Sequence, residues 1–294
     1  MTKVQQLISQ CIGTKSTRLD LGVIELNKLP MTVFKLHWLE ELILRTGAWG
    51  TEKEKLIFLS PKVGQLTNLT ALDLSGNKLP ALPSEIGQLK KLKKLSLSSN
   101  KLKTLSPEIG QLQQLTELNL QANNLEVLPP EIGRLKNLKE LNLFDSNLKT
   151  LPPEIGQLDS LVRLDLTGNN LVSLPPEIGQ LKNLKKLYLS RNRLKSLPAE
   201  IGQLHNLTKL VITFNNLTTL PSSIGQLQNL PILNLSDNQL TSLPPSIGDL
   251  KQIIELNLSF NNLQDLPSEI GQLKNLKRLN LAENNIELVP MKNG

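Results

Sequence analysis

The side chains that most readily do acid–base or metal chemistry are scarce here. Of 294 residues, two are histidine and one is cysteine. His37 and His205 fall in the same slot of a recurring QLxNL-like segment, a slot held elsewhere by Thr67, Lys90, Gln113, Asp159 and Gln228. A slot that accepts any polar residue is a surface slot. The two histidines are seven repeats apart, about 34 Å at ~4.8 Å per strand, so they cannot meet at one metal. With Cys11 the only thiol, no zinc spacing exists. Carboxylates recur at Glu85, Glu108, Glu131, Glu154, Glu177, Glu200 and Glu269, each just inside the start of a short helical segment, where negative charge is favourable. Asp73 and Asp165 lie four repeats apart, too far to work as an acid–base pair. No GxxxxGK[ST] phosphate loop is present. A non-enzymatic protein with no metal and no cofactor is expected.

The elements behind these slots follow one period. The second leucine of an LxxLxL core stands at Leu72, Leu95, Leu118, Leu141, Leu164, Leu187, Leu210, Leu233, Leu256 and Leu279, always 23 residues apart. Leu19 and Leu42 are earlier markers, and the step from Leu42 to Leu72 is 30 residues, so seven are inserted there. Leucines two apart share one face of a strand. A polar column follows: Asn77, Asn100, Asn123, Ser146, Asn169, Asn192, Asn215, Asn238, Asn261 and Asn284. A polar side chain locked to a leucine period turns inward and must find hydrogen bonds, which the free backbone groups of adjacent turns can supply. Proline then starts a short helical or extended return limb. Ten of the seventeen glycines form a column at its end, from Gly64 through Gly133 to Gly271, which marks either a left-handed or a tightly packed backbone position. One unit cannot offset the entropy of ordering itself, so stacking is obligatory.

With LxxLxLxxNxL and LPxEIGQL repeated this way, residues 16–290 resemble the leucine-rich repeat family, in a form similar to intracellular bacterial repeats and to the Ras-group-related scaffold class. The resemblance implies an α/β fold: a leucine-rich-repeat solenoid, a right-handed coil with a curved parallel β-sheet on its concave face and short helical or irregular turns on its convex face. The expected organisation is a cap helix in 1–15, about twelve repeats over 16–290 with an insertion within 45–55, and a tail at 291–294. Val4, Leu7, Ile8, Cys11 and Ile12 stand at helical spacing for the cap; a partner-binding helix is the other use of that segment. The front end, RLDLG followed by LPxxVFxLxWLEEL and an insertion carrying Trp49, is also similar to the start of the repeat region in bacterial Roco proteins. That resemblance implies the regulatory or recognition part of a GTPase chain.

Composition narrows the partner. Lys and Arg number 33 against 26 Asp and Glu, a net charge of +7, mild enough for a solvated surface. Nucleic-acid binding would need basic residues and stacking aromatics on one face; none is expected. No apolar run approaches a membrane span. The single cysteine, with no cysteine-rich caps, points to a reducing, cytoplasmic setting, against a secreted adhesin or effector. The far end, with Leu279, Leu281, Ile286, Leu288 and Val289 and no polar capping repeat, suggests a following domain, self-association or a last turn that frays.

Recognition is therefore expected on the strand residues between the core leucines. Of eight aromatics, Phe144, Tyr188, Phe214 and Phe260 occupy those slots, and aromatics with arginine dominate interface energetics. Tyr188, Arg191, Val211, Phe214 and Ile232 form the densest group, with Asp237 beside it. The predicted function is a protein–protein interaction scaffold in intracellular signalling, its partner a protein such as a small GTPase or a domain of the same polypeptide.

Overall fold

The computed structural model describes residues 2–287 except 23, 25 and 47–54. Two compact units follow one another, Met1–Asn147 and Leu148–Gly294. The first holds α1 (Lys3–Thr14) and strands β1 (Arg18–Asp20), β2 (Glu41–Ile43), β3 (Ala71–Asp73), β4 (Lys94–Ser96), β5 (Glu117–Asn119) and β6 (Glu140–Asn142). The second holds β7 (Arg163–Asp165), β8 (Lys186–Tyr188), β9 (Lys209–Val211), β10 (Ile232–Asn234), β11 (Glu255–Asn257) and β12 (Arg278–Asn280). Within each unit, neighbouring strands pair in parallel, in sequence order, with marker leucines opposite one another: Leu72 with Leu95, Leu187 with Leu210. This is the leucine-rich-repeat solenoid expected from the period.

Each turn is built the same way. In the repeat of β8, Leu187 and Leu189 point inward and are fully buried. Leu194 and Leu197 carry the chain away, both buried. Pro198 then precedes a five-residue 3-10 helix, Ala199–Gln203, which buries Ile201 and Gly202. Elsewhere a proline opens this helix, as at Pro107, Pro153 and Pro176, where its missing N–H is no loss.

The glycine column is a packing device. A Cβ on Gly179 would stand 2.4 Å from the Glu200 carbonyl oxygen of the next 3-10 helix, and one on Gly202 2.3 Å from that of Ser223. Positive φ belongs to a different column that includes Gly76 and Gly168. Of the two alternatives read from the sequence, close approach is therefore the correct one.

The front end is ordinary core. A reciprocal capping box between Thr2 and Gln5 starts α1, and Val4, Ile8 and Cys11 are buried. Ile12, expected on that inner face, is 47% exposed, because positions 4, 8 and 11 already fill the stripe facing β1. The residues behind the Roco-like resemblance, Leu19, Leu21, Phe34 and Leu39, are all buried, and Trp38 Nε1 donates to the Ser16 carbonyl at 3.1 Å. Packing accounts for them. Trp49 and most of the insertion, together with residues 288–294, lie outside the described residues.

Candidate protein-binding face

Backbone groups left free by so short a strand are satisfied by the asparagine ladder. Asn192 Nδ2 donates to Leu166 O at 2.9 Å and Leu189 O at 3.0 Å, while its Oδ1 accepts from Leu171 N at 3.0 Å. The same bonds recur at Asn77, Asn100, Asn238 and Asn261. Ser146 keeps part of the pattern, its hydroxyl donating to Leu120 O at 3.0 Å. A second asparagine ladder lies on the turn side and escaped the sequence analysis. Asn183 donates to Asp159 O, Asn206 to Lys182 O and Asn229 to His205 O, each a repeat earlier. The N of the recurring QLxNL was its signal.

A third polar column reaches the strand face. The last residue of a strand is usually Asp or Asn, and its side-chain oxygen accepts from the N–H two residues on: Asp73 from Ser75, Asn119 from Gln121, Asp165 from Thr167, Asn234 from Ser236, Asn257 from Ser259. This local turn bond is what short polar side chains do at strand ends. It gives Asp73 and Asp165 a structural role. Tyr188 and Val211 occupy this column on adjacent strands and cannot make the bond. Beside Val211 the Thr213 N–H turns instead to the Ser190 hydroxyl, 3.2 Å away. The fold's preferred residue has been given up at two neighbouring positions, and what replaces it is apolar and half-buried.

The next column lies in the left-handed region. Ser99, Ala122, Asp145, Arg191, Phe214, Asp237, Phe260 and Glu283 have φ between 52° and 56°. Backbone ladders hold the turn in place: Phe214 N donates to Ser236 O, and Asn215 N to Asp237 O. A bulky residue there is strained by about 1–2 kcal/mol, yet Phe214 is 53% and Phe260 55% exposed. Neither ring recovers that cost by burial. Phe214→Gly is therefore expected to leave the unfolding free energy within about 1 kcal/mol of wild type, measured by chemical denaturation, while weakening any partner that uses this face.

The structure thus brings Tyr188, Arg191, Val211, Phe214 and Ile232 together on β8–β10, in one unit. Asp237 and Phe260 follow β10 and β11 in that unit. Phe144 follows β6 in the first unit and is half-buried, its N–H held by Asn142.

Charge varies along the first column of the strands. On β4 and β5, Lys94 stands opposite Glu117 and pairs with it at 2.7 Å; the Glu117 hydrogen bond, then the charges of Glu117 and Glu140, raise the Lys94 ammonium above its usual pKa. On β7–β9 the same column reads Arg163, Lys186, Lys209, cation opposite cation. Arg163 reaches Asp165 at 2.9 Å. Among the described residues no carboxylate lies within ion-pair distance of Lys186, Lys209 or Arg191. Arg163 and Lys209, from the strands on either side, stand 4.9 and 5.5 Å from the Tyr188 ring centre, and Arg191 stands 5.9 Å from that of Phe214. Basic residues and aromatics do share a face, contrary to the sequence-based expectation, because strand register rather than proximity in the chain assembles them.

Elsewhere the chemistry is quiet. Burial raises the Cys11 thiol, and its Sγ donates to Ser16 O, which leaves it a poor nucleophile. Glu108 is held low by the Ser106 hydroxyl. Both histidines are exposed on the turn side. Among the described residues no group of three or more His, Cys, Asp or Glu is arranged to hold a metal, and no helix is long and apolar enough to cross a membrane.

Comparison with known proteins agrees with this architecture. Residues 59–147, 108–187 and 130–215 match the leucine-rich repeat region family, and 205–263 match the leucine rich repeat family. A leucine-rich repeat protein of Leptospira interrogans is 37% identical, with 96% of this chain and 88% of that one covered and a TM-score of 0.67. The plant peptide hormone receptor RGFR1, in complex with RGF2, is 32% identical over 87% of this chain and 42% of its own, with a TM-score of 0.76. The Arabidopsis receptor kinase HAESA, in complex with the peptide hormone IDA and the co-receptor SERK1, is 30% identical over 91% and 46%, with a TM-score of 0.74. The chain thus spans most of the Leptospira protein and under half of either plant receptor. No curated protein matches the chain.

Proposed function

The chain belongs to the leucine-rich repeat family, and we propose that it is a recognition scaffold whose second unit binds an extended segment of a protein partner across β8–β10. One observation carries the reading: on two adjacent strands the turn-forming Asp/Asn column is broken by Tyr188 and Val211, beside a strained and exposed Phe214. Positions that depart from what the fold itself favours are expected where function intervenes. The peptide ligands of the two plant receptors support a polypeptide as the occupant. Rigid strands present the anchors already ordered, so little entropy is lost on binding.

A finer version places this in intracellular signalling, with a small GTPase or a domain of the same polypeptide as partner. A buried, unpaired Cys11 suits a reducing compartment.

The test is capture from native lysate by wild type and by Tyr188→Ser, Phe214→Ser protein with unchanged circular dichroism and melting temperature. Loss of each anchor is worth about 2 kcal/mol, roughly thirtyfold in affinity. A partner retained only by wild type supports the face. Identical partners on both proteins would sink it.

A further inference from the structure

We propose that the segment seated on this face is acidic, its carboxylates meeting the cations of β7–β9 and an apolar side chain resting on Val211 and Phe214. The inference rests on the protein-binding reading above and adds the chemistry of the partner. Arg163, Lys186 and Lys209 are register partners on three successive strands, about 4.8 Å apart per step. Like charges directly opposite destabilise a sheet. The same column is neutralised elsewhere: Arg18 meets Glu41, Lys94 meets Glu117, and Arg278 meets Glu255. Among the described residues only Asp165 offsets the row on β7–β9, and it answers Arg163 alone. The uncompensated row lies beside the exposed apolar group, not at random on the surface.

A neutral or basic segment laid here would desolvate ammonium groups without pairing them, which is costly. An acidic one turns that penalty into selectivity. The cations already lie over the aromatic rings, Arg163 and Lys209 on Tyr188, Arg191 on Phe214. Those contacts compete with bases stacking on either ring, whereas Val211 carries no cation and offers an aliphatic surface that a side chain fills and a base does not need, which favours an acidic peptide over a nucleic acid. The half-buried Val211 would have no counterpart on a bare anion.

The experiment selects a displayed library of short random peptides at low salt on wild type and on the Tyr188→Ser, Phe214→Ser protein. The expected pool is rich in Asp and Glu with an apolar residue among them, is lost from the double variant, and weakens as salt rises. Its best peptide should bind Lys186→Glu, Lys209→Glu protein at least about tenfold more weakly. A neutral or basic pool that still depends on Tyr188 and Phe214 would overturn the acidic partner and leave the face standing. A pool that binds both proteins alike would overturn the face as well. Oligothymidylate bound by wild type as tightly as the best peptide would overturn the peptide in favour of nucleic acid.

Discussion

Asn192→Ala is expected to lower the unfolding free energy by about 3 kcal/mol, while Asn183→Ala changes it by less than about 1 kcal/mol. Both are asparagines of recurring columns in the second unit, and both bond to backbone. The difference is water. Asn192 is 8% exposed, and its loss strands Leu171 N–H inside the turn and takes one of two side-chain donors from Leu166 O and from Leu189 O, which keep those of Asn169 and Asn215. Each buried group left unpaired costs about 1–3 kcal/mol. Asn183 is exposed, and the Asp159 carbonyl it meets can bond to solvent instead. Chemical denaturation of the three proteins reads the difference. Hydrogen exchange at the Leu171 amide locates it: protection there should fall in Asn192→Ala and stay intact in Asn183→Ala. Equal losses in both variants would show that the inner ladder owes nothing to burial.

Gly179→Ala and Gly271→Ala should move stability in opposite directions. The two glycines occupy the same place in the repeat, each within the segment EIGQLKNLK. A methyl on Gly179 would lie 2.4 Å from the Glu200 carbonyl oxygen and 2.8 Å from its Cβ, and backbone cannot swing aside as a side chain does. Overpacking of that kind costs about 1–3 kcal/mol. Among the described residues a methyl on Gly271 meets nothing within 4 Å, so it restricts the unfolded chain without a clash and should stabilise by about 0.4–1 kcal/mol. Thermal and denaturant midpoints for the pair decide it; a destabilising Gly271→Ala would mean that the column depends on backbone conformation rather than on spacing.

The fold was legible because its constraints are written as residue types. Leucines at fixed spacing, an inward asparagine and a proline before each 3-10 helix have few substitutes, so they recur visibly. Ser146 was legible too, as the serine in an asparagine column, and its hydroxyl still donates to Leu120 O. The left-handed column was hidden. It holds Gly76, Ser99, Ala122, Arg191, Phe214 and Glu283, because backbone ladders on either side impose the conformation and no one residue type is required. The importance of Arg191 and Phe214 could be guessed from their chemistry, but the strain they carry could not. The cation row gives a weak signal for another reason. Arg163, Lys186 and Lys209 are 23 residues apart in the chain and become neighbours only through parallel register. Read along the chain, each is an ordinary surface charge.

One property of the inner ladder reaches beyond stability. Asn192 and Asn215 reach back along the chain by identical steps, 21 residues to the N–H each accepts from and 26 to the carbonyl each donates to. The wiring is indifferent to how many repeats precede it. An in-frame duplication or loss of one 23-residue block therefore reconnects every donor to an equivalent acceptor, and only the face residues change neighbours. The binding surface can be lengthened, shortened or reordered in the gene by whole blocks, with the scaffold as a bystander.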